Sequence, residues 1–219
     1  MTEEIRKPEE KSEMSDRLEI IITVLLGLTT LLGATAAYFS ALWGGTQHSN
    51  YSKCIAGTNH ANTIYLEALG DMSSLDMDDL KDDTLYAEWK QNVSKGDPDA
   101  KYYFARLSEG LQKDLQDNPN DISEYEKEQA DKIKQIEATF KEADANHDTA
   151  DSLMQAGELA NKNGDGFTLM TVMFTIVLFF LGLASLKTKK KLRKIYVGFS
   201  VVILIAAIIK MLTLPFPSL

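Results

Sequence analysis

The stretch FTLMTVMFTIVLFFLGLASL (167–186), KTKKKLRK (187–194) and IYVGFSVVILIAAIIKMLTL (195–214) decides the fold. Two apolar runs of 20 residues flank a turn that carries six Lys and Arg and no acidic residue. A helix of about that length crosses roughly 30 Å of hydrocarbon, where backbone groups meet no water and must pair within the helix. The pattern predicts a transmembrane hairpin, and short basic loops stay cytoplasmic, so the turn also orients it. A third apolar run occupies 18–43. With three spans, 1–17 is expected to be a cytoplasmic tail, 18–43, 167–186 and 195–214 the membrane helices, and 187–194 the cytoplasmic turn. The stretches 44–166 and 215–219 then lie outside. Reading the first run as a signal peptide cut after Ala34-Thr35-Ala36 conflicts with its length and with the long charged tail before it.

Charge agrees with this layout. Residues 44–166 hold 12 Lys and Arg against 25 Asp and Glu, a net of −13. A surface that acidic argues against nucleic-acid binding, which needs cations to displace counterions, and favours a solvated, self-repelling domain. Cys54 is the sole cysteine, so no intramolecular disulfide is available. Asn50-Tyr51-Ser52 and Asn92-Val93-Ser94 match the three-residue glycosylation pattern, which is weak by itself.

Seven-residue periodicity organises the rest. One seam runs Thr23, Gly27, Thr30, Ala34, Ala37, Ala41, Gly44, His48, Tyr51, Ile55, Thr58, Asn62, Tyr65, Leu69, Met72. A second runs Ile133, Ile136, Phe140, Ala143, His147, Ala150, Met154, Gly157, Asn161, Gly164, Thr168, Thr171, Thr175. A sustained 3.5-residue period implies a left-handed helix contact. Both seams meet the membrane at one end, so they are expected to pair antiparallel as a stalk, with Tyr51 against Gly157, Met72 against Ile136, and the polar pairs Asn62–His147 and His48–Asn161 fixing register. Gly44-Gly45 after Trp43 is the expected bend. Between the seams, Asp97-Pro98 opens a helix bearing Tyr103, Leu107, Leu111 and Leu115; Asn118-Pro119-Asn120 ends it, and Asp121 with Glu124 resembles a capping box. No strand-like alternation occurs, so the prediction is an all-α membrane protein with three transmembrane helices, an antiparallel helical stalk and a small helical cap.

Motifs with chemical potential are few. Asn161-Lys162-Asn163-Gly164-Asp165-Gly166 copies the first half of a calcium loop, but position twelve is Val172 where a bidentate glutamate is needed. Asp144, Asn146 and Asp148 repeat the partial spacing without the glycine. The acidic run from Asp71 to Asp83 reads as solvated surface, and His48, His60 and His147 read as hydrogen-bonded spacers more readily than as zinc ligands. No phosphate loop, nucleophile elbow or cysteine pair occurs. No enzyme activity, metal or cofactor is expected. Within the first span, Thr29, Gly33 and Ala37 have the small-xxx-small spacing that lets helices approach closely in lipid. Lys210, near the outer end of the third span, can snorkel to the surface, with Asp165 as its nearest candidate partner.

The segments AAYFSALWGGTQ (36–47), NKNGD (161–165) leading into TVMFTIVLFFLG (171–182), and KMLTLP (210–215) together resemble a prokaryotic family of three-span membrane proteins of uncharacterised activity. The resemblance covers nearly the whole chain. Its Trp-x-Gly-x-Gln element falls on Trp43, Gly45 and Gln47, and a basic residue stands at Lys210. The similarity implies a multi-pass protein of a prokaryotic plasma membrane and an interface at the outer end of span one, and it brings no known activity; few arginines and a more acidic cap set this chain apart. The sequence therefore points to a non-enzymatic membrane protein: an oligomeric scaffold, a partner-docking arm or an envelope sensor. Its partners would be the lipid bilayer and a homo-oligomer or another membrane protein. The alternative is a channel or transport subunit in which copies of span one line a pore with Thr23, Thr30 and Ser40.

Overall fold

The structure, a computed structural model, describes residues 10–186 and 189–217, with side chains from 17 onward. The described residues form five helices: α1 (Glu10–Lys95), α2 (Ala100–Phe104), α3 (Glu109–Asp117), α4 (Ser123–Ser185) and α5 (Lys190–Leu212). Helices α1, α4 and α5 each contain a segment long and apolar enough to cross a membrane, which fits a multi-pass membrane protein. The predicted tail before Glu10 and the centre of the basic turn, Lys187 and Thr188, lie outside the described residues. The chain divides into two compact units, Met1–Ser52 with Leu153–Leu219, and Lys53–Ser152.

The first unit packs the early part of α1 against the later part of α4 and against α5. Its core is Ala36, Phe167, Met170, Phe174, Val177, Leu181, Leu204, Ala207 and Met211. In lipid no hydrophobic drive holds helices together, so contact depends on how closely backbones approach, and small residues permit that. A Cβ on Gly33 would stand 3.5 Å from the Phe174 Cβ, and one on Gly164 would stand 3.4 Å from the Trp43 Cβ. The Tyr51 ring lies directly over Gly157, as the spacing predicts.

Helix α1 does not break at Gly44-Gly45. It runs unbroken from Glu10 to Lys95. Glycine in a helix interior costs only about 1 kcal/mol, and neighbouring contacts outweigh that: at Trp43 the chain has both the backbone of Gly164 beneath it and a hydrogen bond from Nε1 to the Pro215 carbonyl at 3.1 Å.

The second unit holds the distal half of α1, the short helices α2 and α3, and the beginning of α4. Ala68, Leu75 and Ile136 form one cluster with Met72 and Phe140 against it; a Cβ on Gly57 meets Ala150 Cβ at 3.5 Å, and the Tyr65 and Phe140 rings stand edge to face at 5.1 Å. A second cluster joins Leu107, Leu111 and Leu115 to Leu85, Tyr86, Trp89, Phe104, Ile122 and Tyr125. The helix expected from Asp97 through Leu115 is two helices. The chain turns at 105–108 because Ser108 is extended (φ −59°, ψ 153°) and caps α3 with its hydroxyl, which accepts from Leu111 N. Helix α1 continues past Met72, the last residue of the predicted seam, and ends at Lys95, where Gly96 takes the left-handed φ of +68° that a side chain disfavours.

The seven-residue period is present and its phase is displaced. Buried or half-buried positions on α1 include Ile22, Thr29, Ala36 and Trp43, and the series Gly33, Ser40, Gln47, Cys54, Ala61, Ala68, Leu75, Asp82 and Trp89. These stand one residue before the predicted seam, a rotation of about 100°. On α4 half of the predicted seam is inward (Ile136, Ala143, Ala150, Gly157, Gly164, Thr171), and the other half is one residue late: Leu153, Ala160, Phe167 and Phe174 are covered where Met154, Asn161, Thr168 and Thr175 are exposed.

Gly157→Ala should place a methyl against the Tyr51 ring and destabilise the solubilised protein by roughly 1–3 kcal/mol, the usual cost of overpacking. In a Tyr51→Ala background that cost should vanish, and the four thermal midpoints of the double-mutant cycle measure the coupling.

Candidate functional site

Asp82 is 3% exposed, while Asp71, Asp76, Asp78 and Asp83 on the same helix face water and Asp79 is half-buried. A carboxylate is costly to bury unless hydrogen bonds satisfy it. Here one oxygen, Oδ1, accepts from the Ser108 backbone N–H at 2.9 Å, and the other, Oδ2, accepts from the Tyr125 hydroxyl at 3.0 Å. The same hydroxyl lies 3.2 Å from Asp79 Oδ1. Asp114 Oδ2 in turn accepts from the Tyr125 backbone N–H at 2.7 Å. Helix α4 is thus capped at its start by a residue of α3 as well as by Asp121, whose Oδ1 accepts from Ser123 N at 3.0 Å. Asp121 is held below the usual carboxylate range by its hydrogen bonds from Ser123. The reciprocal capping box with Glu124 is replaced by this three-helix arrangement.

This network fixes the turn between α2 and α3, and the turn carries Arg106. The guanidinium of Arg106 stacks over the Tyr102 ring at 3.7 Å, a cation–π contact that holds it in place. Arg106, Met77, Leu80, Lys81, Thr84 and Leu85 line a groove of about 420 Å³. At 100° per residue, Asp82 points 200° away from both Leu80 and Thr84, so one face of α1 anchors the turn and another faces the groove. Met77 and Leu80 are 70% and 69% exposed.

The groove belongs to a longer feature. Ala56, Asn59, Thr63, Leu66, Gly70, Ser73, Met77, Leu80, Thr84, Ala87, Gln91 and Ser94 follow one another at alternating intervals of three and four, and every one is exposed and uncharged. The intervening residues include Glu67, Asp71, Asp76, Asp78, Asp79, Asp82, Asp83 and Glu88. An uncharged 3.5-residue stripe on a water-facing helix is the pattern that another helix reads. This stripe is the candidate site, and it was not among the residues singled out from sequence; its signal was the avoidance of charge at that spacing.

The residues singled out from sequence fall as follows. His48, Asn62 and Asn161 are exposed and His147 is half-buried; Asn161 Nδ2 donates to Asp165 Oδ2, four residues on in the same helix, at 3.3 Å. The polar register pairs are therefore not the contacts that hold the helices, because the packed faces are rotated by one residue. The half-calcium sequence 161–166 lies inside α4, where helical backbone cannot wrap a cation: Asn163 is buried while Asn161 and Asp165 are exposed. Among the described residues no three His, Cys, Asp or Glu side chains come together to hold a metal. At the membrane-side unit, Gly33 packs beside Phe174, Ala37 is exposed, and Ala36 takes the inward place. Trp43 bonds Pro215, Gln47 is half-buried, Gly45 has open space around it, and Lys210 is exposed. Ser40 donates to, or accepts from, Thr168 at 2.8 Å and lies 3.1 Å from the Gly164 carbonyl. The C-terminal Phe216 stacks edge-on against Phe39 at 5.5 Å.

The chain matches no known protein-family model, no curated protein and no solved structure.

Asp82→Ala should strand the Ser108 N–H, leave the Tyr125 hydroxyl only its longer bond to Asp79, and lower the stability of the second unit by about 1–3 kcal/mol. Loss of amide-exchange protection in α3 of the full chain measures it, and Asp79→Ala should cost less because Asp79 is half-buried and accepts one longer bond. Burial first, then the hydrogen bond and charge of Asp82 and the charge of Asp79, hold the Tyr125 hydroxyl well above its ordinary 10.0. The folded chain keeps this proton where the unfolded chain releases it. The stabilisation is thus complete below pH 10 and is lost as pH climbs past it. Protection of α3 should fall above about pH 10 in the parent protein, and Tyr125→Phe should remove that part of the pH dependence.

Proposed function

We propose that this chain is a non-enzymatic integral membrane protein that assembles with other copies of itself, its second unit serving as an extracytoplasmic docking arm or scaffold. The observation that carries this reading is the exposed, uncharged stripe of α1 from Ala56 to Ser94, set in a strongly acidic helix. Acidic surface keeps the arm soluble and repels non-specific contact, and the uncharged stripe that interrupts that surface offers a helix-sized seat. A strip about 57 Å long and roughly 10 Å wide presents roughly 570 Å² per copy, so two copies bury roughly 1,100 Å², near the lower bound for a specific interface. In this reading the basic turn is cytoplasmic, 44–166 and 215–219 are outside, and the helix pair with the small domain around Asp82 forms the stalk and cap of a protein of the prokaryotic plasma membrane. The resemblance to the three-span family belongs to the same proposal, with Trp43 at the outer membrane boundary.

The pore alternative draws no support from the hydroxyls it requires. Thr23 and Thr30 donate to carbonyls of their own helix, at Glu19 (2.9 Å) and Leu26 (2.8 Å), and Ser40 is engaged with Thr168 and Gly164.

The test is the mass of the detergent-solubilised protein by light scattering. The parent chain should be oligomeric, and Met77→Asp with Leu80→Asp should weaken self-association at least tenfold, as loss of exposed apolar anchors does at an interface centre. Helix content by circular dichroism should stay unchanged, since both side chains already face solvent. A parent chain that is monomeric and captures no partner on crosslinking sinks the proposal.

A further inference from the structure

The start of α5 concentrates positive charge. Of the six residues Lys189 to Lys194, five are cationic, and only Leu192 is not. The four lysines are exposed, and among the described residues none of them has an ion-pair partner. The first turn of α5 contains no acidic residue, and its N-cap, Lys189, offers no side-chain acceptor. The positive end of a helix normally attracts Asp or Glu, so cations there add to a repulsion that already exists. Lys190 and Lys194, four apart, and Lys191 and Lys194, three apart, also face one another on the helix surface.

Arg193 is the second observation. Its side chain is only 12% exposed, and among the described residues its Nε is buried with no acceptor and its one carboxylate contact is a long one, Nη1 to Glu19 Oε1 at 3.6 Å. With the exposed Arg17 on α1, the described groups at this end of the first unit are six cations against the one carboxylate of Glu19. Next to them the chain becomes apolar and aromatic: Phe180 stands 6.2 Å from Tyr196 and 4.7 Å from Phe199. Where a basic cluster meets an aromatic girdle at the end of apolar helices, phosphate headgroups are the anions at hand.

We propose that the beginning of α5 is a binding site for the phosphate of an anionic phospholipid, held chiefly by Lys190, Lys191 and Lys194. Arg193, tethered to Glu19, braces α5 beside α1 at the same level. This inference rests on α5 being a membrane span; it does not depend on the docking stripe of α1. An anionic headgroup relieves the lysine repulsion and the uncapped helix end together, so binding should stabilise the fold of the first unit rather than merely decorate it.

The full-length protein in a neutral detergent provides the test. Thermal unfolding is followed while phosphatidylglycerol, phosphatidylcholine or inorganic phosphate is added, and native mass spectrometry counts retained lipid. Three lysines near an anionic surface contribute about fivefold each, so phosphatidylglycerol should bind roughly 100-fold more tightly than phosphatidylcholine. It alone should raise the unfolding midpoint, and the effect should shrink in concentrated salt. The triple variant Lys190→Gln, Lys191→Gln, Lys194→Gln should lose both the midpoint rise and the retained lipid while unfolding normally in phosphatidylcholine. Equal shifts from both lipids, a triple variant that responds like the parent, or a matching shift from inorganic phosphate alone would each overturn the lipid site. Alkaline carbonate extraction of native membranes separates this failure from a wider one. Protein that stays in the membrane without a phosphatidylglycerol effect refutes the site alone, and protein that washes off refutes the span as well.

Discussion

Everything in this chain depends on how near two helical backbones can come when they cross at small residues. The same device recurs in both units. In the first, Gly33, Ala36, Gly157 and Gly164 admit Phe174, Phe167, Tyr51 and Trp43 or their backbones; in the second, Gly57, Ala61, Ala68, Ala143 and Ala150 line the inward faces. The chemistry of the surroundings differs, yet the requirement is shared. Lipid offers no hydrophobic drive between helices and leaves dispersion at short range as the main attraction. In the second, highly acidic unit the apolar area available from alanine is small, so close packing must again supply what large side chains do not.

That dependence explains why the seam was legible in period and illegible in phase. A seven-residue repeat fixes the spacing of inward positions, and the spacing alone gives the supercoil. It does not fix which of two adjacent stripes faces inward when both are built from small or weakly polar residues. Thr30, Ala37 and Thr58 continue one stripe as naturally as Thr29, Ala36 and Gly57 continue the other. In an ordinary globular helix leucines would decide the matter, but here the stripe with Ile55, Leu66 and Leu69 nearby is the exposed one. Histidine and asparagine in a seam often set register, whereas here His48, Asn62 and Asn161 face solvent and His147 is half-buried. The three apolar helices, by contrast, were readable because length and apolarity carry that signal without any phase.

The network around Asp82 was hidden for a different reason. Among Asp71, Asp76, Asp78, Asp79, Asp82 and Asp83, nothing local marks Asp82 as the buried one; what sets it apart is a partner 43 residues away, Tyr125, and another 26 away, the Ser108 N–H. The break between α2 and α3 belongs to the same hidden event. Ser108 looks like an interior residue of one amphipathic helix running to Leu115, until its backbone donates to Asp82 and its hydroxyl turns to cap the next helix. Long-range satisfaction of a buried charge overrode a continuous local pattern.

The spacing of that network along the chain also sets an order of events. Asp79, Asp82, Ser108, Asp114 and Tyr125 are all present once the nascent chain has passed the first turn of α4, before any residue of the apolar part of that helix has been made. Contacts of such modest sequence separation close quickly compared with pairings across a whole chain. The turn that reverses the polypeptide can thus be secured during synthesis, while a ribosome still holds the second apolar segment. A small, self-contained knot of hydrogen bonds is then in place before the apolar part of α4 is complete.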